Sequence, residues 1–448
     1  MSKSVTKDMT VGSPMRLIVS FFIPLLLGML FQQFYSMMDT IIVGRCLGVN
    51  ALAAVGSTGS VNFMIIGFCM GVCNGFAIPV AQRFGAKDQT GLRKFVANSV
   101  WLSIVFAVIM TIVTCILCRQ IMTWMRTPAD IFEDANTYIF IIFIGIPATY
   151  LYNLVSGIIR SLGDSRSPLF FLIVSSVLNI GLDFLFILTF HMGVAGAAWA
   201  TVISQAVSGI GCLFYMKHKF EILKIRPEEW KMDTKYMKIL CGMGIPMGLQ
   251  YSITAIGSVI LQTAVNTLGS SAVAAITAGS KVSMFFCCPY DAMGSTMATY
   301  AGQNVGAGKL DRVKKGMLSC CLLGLIYAVL AFVFLFFFGR YTALLFMEAS
   351  EKAILGNVTT FLLINSAFFF PLSLVNIIRF TIQGMGYSIL AICAGICEMV
   401  ARSIVGFVFV PMWGFVAACF ASPVAWICAD IFLIPAFFYC LRRLKKVY

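Results

Sequence analysis

Two halves of the chain repeat one another at an offset of 221 positions. The first reads Leu47-Gly48-Val49-Asn50-Ala51-Leu52-Ala53-Ala54-Val55, then Gln82-Arg83-Phe84-Gly85-Ala86. The second reads Leu268-Gly269-Ser270-Ser271-Ala272-Val273-Ala274-Ala275-Ile276, then Gln303-Asn304-Val305-Gly306-Ala307. Gly193-Val194-Ala195 and Gly414-Phe415-Val416 keep the same offset. A duplicated, strongly apolar unit of this kind is how many membrane carriers are built, with a path between the copies.

Hydrophobic residues make up 60% of the chain and charged residues only 11%, which excludes a soluble protein. About 20 consecutive apolar residues cross a bilayer as a helix. Twelve segments qualify: 16–43, 51–81, 95–118, 133–157, 168–190, 194–216, 237–267, 272–302, 316–338, 354–378, 389–411 and 414–440. Several exceed the hydrocarbon thickness, which predicts tilted or bent helices, and none has the short alternating pattern of a membrane barrel. The expected fold is therefore an all-α integral membrane protein of 12 transmembrane helices in two pseudo-symmetric six-helix bundles. Six spans per half give parallel repeats. The expected division is 1–216, a polar cytoplasmic linker at 217–236, and 237–448.

The net charge of +14 is a topology signal rather than a sign of nucleic-acid binding. Of the 32 Lys and Arg, 25 fall on one side of these spans, Arg379 in the loop after span 10 among them. Five fall on the other side (Arg45, Arg119, Arg126, Arg340, Lys352) and two within spans (Lys281, Arg402). The positive-inside rule then puts both termini in the cytoplasm and the protein in the cell membrane. Attraction to lipid headgroups is secondary. No cleavable signal peptide is expected. The 16 cysteines are scattered through the spans without zinc-ligand spacing, and read as small apolar side chains.

An ionisable group inside a span costs at least ~2.5–3.5 kcal/mol on insertion scales, so its presence invites a functional explanation. Asp39 lies late in span 1; Asn179 and Asp183 are four apart on span 5, hence on one helix face. Thr201 on span 6 completes an oxygen-rich set suited to a hard cation such as Na+. The same carboxylates could instead carry a proton. Each residue also has a plainer explanation. Asp39 could sit at headgroup level beside Arg45, Asn179 could join helices, and Thr201 could bond its own backbone.

The second half does not repeat this chemistry. Glu398 and Arg402 on span 11 are spaced for an intrahelical ion pair. Gln250, Thr254, Asp291 and Asp430 are further polar candidates within spans, with Lys281 as a conceivable partner for Asp291. Pro24 and Pro246 occupy equivalent places in spans 1 and 7, where each would bend its helix. A bend near Asp39 could couple ion binding to helix shape, or it could be a fixed packing feature. The 25 Met and 40 Phe could line a cavity for aromatic cations.

From about residue 12 to 441 the chain resembles the multidrug and toxic compound extrusion (MATE) family. The matching features are Met38-Asp39-Thr40-Ile41-Ile42-Val43-Gly44, the duplicated Leu-Gly-x-x-Ala-Leu/Val-Ala-Ala segments and the two Gln-x-x-Gly-Ala loops. Arg160-Ser161-Leu162-Gly163-Asp164-Ser165-Arg166-Ser167-Pro168 and Asn179-Ile180-Gly181-Leu182-Asp183 complete them. The resemblance implies two six-helix lobes in a V around a central cavity, with export driven by inward Na+ or H+. Asp39, Asn179, Asp183 and Thr201 match the cation-binding cluster of the DinF-like type, and Pro24 its helix-bending proline. NorM-like relatives carry acidic residues in spans 7 and 10, which this chain lacks.

The expected activity is secondary antiport of amphipathic, cationic organic compounds against H+ or Na+, by a monomer with no other cofactor. A lipid-linked saccharide or polysaccharide flippase of the wider superfamily is the alternative. It is disfavoured because only Lys281 and Arg402 lie within spans to meet a pyrophosphate. A membrane enzyme is disfavoured by the presence of just His191 and His218 and no nucleophile motif.

Overall fold

A computed structural model describes residues 6–344 and 352–447. Lys3 and the side chains of Val49 and Lys352 lie outside the described part. Helix follows helix: α1 (Pro14–Leu47), α2 (Val49–Ser57), α3 (Gly59–Gly85), α4 (Gln89–Trp124), α5 (Phe132–Ile144), α6 (Ile146–Ser161), α7 (Arg166–Phe184) and α8 (Val194–Lys219). The second half gives α9 (Thr234–Asn266), α10 (Ser270–Gly306), α11 (Leu310–Ala343), α12 (Lys352–Ala367), α13 (Phe369–Gly384), α14 (Ser388–Ile404), α15 (Val410–Trp413) and α16 (Phe415–Leu444). Among the described residues there is no strand.

Ten of these helices are long and apolar enough to cross a membrane, and twelve spans result when two bent pairs are each counted as one. The bent pairs are α5–α6, angled by 45°, and α12–α13, angled by 50°. Each pair covers one of the predicted spans, 133–157 and 354–378. The helices break at Gly145 and Phe368, and Pro147, at the start of α6, has no N–H to carry the ladder through.

The duplication is visible in the backbone. Gly193 (φ 61°) and Gly414 (φ 63°) take the same left-handed conformation to start α8 and α16. The ends of α3 and α10 also match. The Lys87 N–H bonds to the Phe84 carbonyl and the Asp88 N–H to Arg83; in the second copy Gly308 bonds to Val305 and Lys309 to Asn304. This double hydrogen bond closes a helix C-terminus through one left-handed residue. Gly308 (φ 68°) fills that position without strain, whereas Lys87 (φ 57°) carries a Cβ there.

Packing divides the chain into two compact units. Unit 1 is Ile23–Tyr251 with the segment up to Asp8; unit 2 is Met9–Phe22 with Ser252 onward. Long helices α1 and α9 therefore contribute to both. In unit 1, α3 and the first part of α9 approach closely through small residues. A Cβ on Gly75 would meet the Gly244 Cα at 2.5 Å, and one on Gly71 the Met247 carbonyl oxygen at 2.5 Å. Such glycine crossings are a usual way to join helices where lipid supplies no hydrophobic drive. In unit 2 the largest fully buried side chains include Tyr290, Tyr300, Phe369 and Phe437.

The segment predicted as a polar linker is pinned to unit 1. Both Glu229 oxygens accept from Arg93 Nε on α4 (2.9 and 2.8 Å), and the same carboxylate accepts from the Arg226 N–H at 2.8 Å. The Trp101 indole N–H donates to the Trp230 carbonyl, and the Asp233 N–H donates to Asn98. The Arg93 guanidinium holds the Glu229 carboxyl below its ordinary range.

Candidate cation-coupling site

Three helices of unit 1 bring the predicted residues together. Asp39 comes from α1, about four turns beyond Pro24, which lies inside a continuous helix. Asn179 and Asp183 come from α7, one above the other, and Thr201 from α8. The Asn179 amide donates to the Thr201 hydroxyl at 3.4 Å, and that hydroxyl donates to the Ala197 carbonyl at 3.2 Å. Asp183 is fully buried and Asn179 is 1% exposed.

The two carboxyls lie close enough to act directly on one another. Yet Asp39 Oδ1, both Asp183 oxygens and Asn179 Oδ1 are enclosed with no donor among the described protein atoms. Two ionised carboxylates cannot bond each other, since both only accept. Their mutual repulsion and the loss of hydration are large in a low-dielectric interior. One proton shared between them, or one small cation held by their oxygens with Asn179 Oδ1 alongside, removes both penalties. Among the described residues no three His, Cys, Asp or Glu side chains cluster as metal ligands. The donor set is thus two carboxylates with amide and hydroxyl oxygens, which fits a proton or a hard monovalent cation.

Three further residues belong to this cluster. Tyr35, one turn before Asp39, lies beside Gln205, whose Oε1 accepts from Thr149 at 2.9 Å. Tyr138 on α5 lies within electrostatic reach of Asp39, Asp183 and Tyr35. Spacing was the available signal: Tyr35 precedes Asp39 by four, and Gln205 follows Thr201 by four. Immediately after Asp183 the helix widens into a π segment, Leu185–Thr189, a backbone irregularity frequent at functional sites.

Unit 2 holds its own polar cluster. The expected Glu398–Arg402 pair forms across one turn of α14 at 3.4 Å. Glu398 also binds Arg379, which the sequence placed in a loop. That expectation fails because α13 runs on to Gly384 and carries Arg379 inward, to 5% exposure. Arg160, three residues past the predicted end of span 4, lies on α6 and donates to Asn74 at 3.0 Å. The charged neighbour of Asp291 is Arg379 rather than Lys281. Gln250 is buried on α9, and the Thr254 carbonyl accepts from Ser258.

The MatE family model matches residues 24–185 and again 246–408, so each copy begins at one of the equivalent prolines, Pro24 and Pro246. The chain belongs to the MatE family. It is 30% identical to a probable multidrug resistance protein, YpnP, of Bacillus subtilis, over 83% of this chain and 82% of that one. A FAD transporter of Shewanella oneidensis is 23% identical over 86% of this chain and 85% of its own. A solved structure of a multidrug resistance MATE family transporter in an outward-facing conformation superposes with a TM-score of 0.92 at 24% identity, covering 100% of this chain and 99% of that one. This MatE-family protein is thus a multi-pass membrane protein with the family's fold of twelve helices in two bundles.

Proposed function

We propose that this MatE-family protein is a secondary antiporter that exports amphipathic, cationic organic compounds in exchange for inward H+ or Na+. The observation that carries this reading is the pair of facing, enclosed carboxylates, Asp39 and Asp183, on different helices of unit 1. Either carboxylate alone could be structural. Together they require a positive charge, and an exchangeable one makes them a coupling site. Asn179 and Thr201 complete the coordination, and Pro24 gives α1 a point of flexure. The names of the relatives, multidrug resistance proteins among them, support the substrate class.

Both termini face the cytoplasm in this reading, following the distribution of Lys and Arg, and the protein acts as a monomer in the cell membrane. It is a carrier rather than an enzyme and needs no cofactor besides the coupling ion. Flipping of a lipid-linked saccharide would require free cationic groups for pyrophosphate. Of the two cations predicted within spans, Lys281 and Arg402, Arg402 is held by Glu398, as is Arg379, which favours the exporter.

The test is efflux of a fluorescent organic cation from proteoliposomes under separately imposed Na+ and pH gradients. Efflux should follow one gradient in the wild type and disappear in Asp39→Asn. Dye movement under neither gradient overturns the exporter assignment and makes lipid-linked substrates the next probe.

A further inference from the structure

Charge does not balance around the Glu398 bridge. Three carboxylates gather about Arg379 in unit 2: Glu398 of α14, which binds it, with Asp430 of α16 and Asp291 of α10 within its electrostatic reach. Arg402 is the second cation, and it too is held by Glu398. Two guanidiniums therefore face three carboxylates. Asp291 lies on the exposed side of α10, within reach of Arg379. Asp430 is the carboxylate with an enclosed, unsatisfied oxygen: it is 7% exposed, midway along α16, with Oδ1 enclosed and without a hydrogen-bond partner among the described atoms.

We propose that this cluster is a second proton-binding site, independent of Asp39 and Asp183, and that Asp430 is the group that takes and releases the proton. A lone buried carboxylate charge is costly and is relieved by neutralisation. A metal cation would relieve it poorly, since it would stand beside two guanidiniums of like charge. A proton adds no separate centre of positive charge and gives Asp430 an O–H to donate. Among the described residues, Arg379 of α13 and Cys321 of α11 lie within electrostatic reach of Asp430; around Arg379 stand Glu398 of α14, which also holds Arg402, and Asp291 of α10, while Cys397 of α14 faces Cys428 on the helix of Asp430. Helix α12 adds no charged side chain among the described residues. Among the described residues Arg379 is the cation within reach of Asp430, and Arg402 stands behind it on Glu398. When Glu398 holds Arg379, Asp430 keeps its proton; when Arg379 turns to Asp430, the proton leaves.

The duplication supports the placement. Helices α14 and α16 are the second-copy counterparts of α7 and α8, which carry Asn179, Asp183 and Thr201. Each of α7 and α14 also runs into a five-residue π segment just past its polar pair, Leu185–Thr189 in one and Val405–Phe409 in the other. The same helix pair, beside the same irregularity, thus bears buried polar groups in both units.

Infrared difference spectra of the purified protein across a pH titration test this. The carboxyl C=O signal would be compared in wild type, Asp430→Asn and the double variant Asp39→Asn/Asp183→Asn. The site predicts that Asp430→Asn loses one titrating carboxyl signal that the double variant keeps. A titration unchanged in a folded Asp430→Asn protein overturns it. Should Asp430→Asn fail to fold, Asp430→Glu keeps the carboxyl and must move the signal, and an unmoved signal overturns the proposal equally. Loss of no signal in the double variant would count against the unit 1 site alone.

Discussion

Replacing Glu398 with Gln should damage unit 2 far more than replacing either arginine's polar neighbours elsewhere. Glu398 binds Arg379 and Arg402 at once, and all three side chains are 9% exposed or less. Gln keeps the shape and removes the charge, so two buried guanidiniums lose their common counterion. Removing one partner of a buried ion pair costs about 3–5 kcal/mol where the remaining charge is left uncompensated, as Arg402 is here, whereas Arg379 keeps Asp430 within reach. Arg402→Gln removes only the longer arm, at 3.4 Å, and leaves Glu398 satisfied by Arg379. Its cost should be that of one charge-assisted hydrogen bond, about 1.5–3 kcal/mol. The buried thiols provide the assay. Cys288, Cys320 and Cys419 report on unit 2 and Cys69 and Cys73 on unit 1, so labelling by a thiol-reactive dye during unfolding in mixed micelles separates the two. Glu398→Gln should expose the unit 2 thiols at much lower denaturant than Arg402→Gln. Equal costs for the two variants, or no loss for Glu398→Gln, would refute the bridge.

Three smaller perturbations follow from the fold. Lys87→Gly should stabilise unit 1 by about 1 kcal/mol, since it removes a left-handed Cβ that Gly308 avoids in the second copy, and thermal unfolding measures it. Gly75→Ala should destabilise by about 1–3 kcal/mol in the same assay, because its Cβ would press on the Gly244 backbone. The Glu229 clamp should be pH-dependent. Its folded-state carboxyl is held low by Arg93, so its contribution is full above the ordinary Glu value of about 4.3 and is lost as pH falls through the lower folded value. Limited proteolysis of 217–236 should rise over that acid range in the wild type, and be high at every pH in Arg93→Met.

Much of this was legible because charge and glycine are conspicuous in an apolar chain. Asp39, Asp183 and Glu398 stand out since burying a carboxylate is expensive wherever the helix lies. The duplicated glycines marked helix boundaries because their left-handed conformations exclude most other residues. Tyr138 was invisible for the converse reason, since an aromatic in an apolar run reads as core until a carboxylate is found beside it. Arg379 was misassigned because hydropathy ends a span where polarity begins, whereas α13 continues to Gly384 and folds the arginine inward against Glu398. The π segments depend on tertiary packing, which no local pattern records, whereas Pro147 marks the break at Gly145 locally.

Reciprocal flux tests the coupling site most directly. If Asp39 and Asp183 carry the exchanged cation, an outward gradient of organic cation across proteoliposomes must itself drive H+ or Na+ inward, with no ion gradient imposed. The flux should be present in the wild type and absent in both Asp39→Asn and Asp183→Asn. Cation uptake that persists in either variant, while transport of the organic cation continues, would contradict coupling at this site.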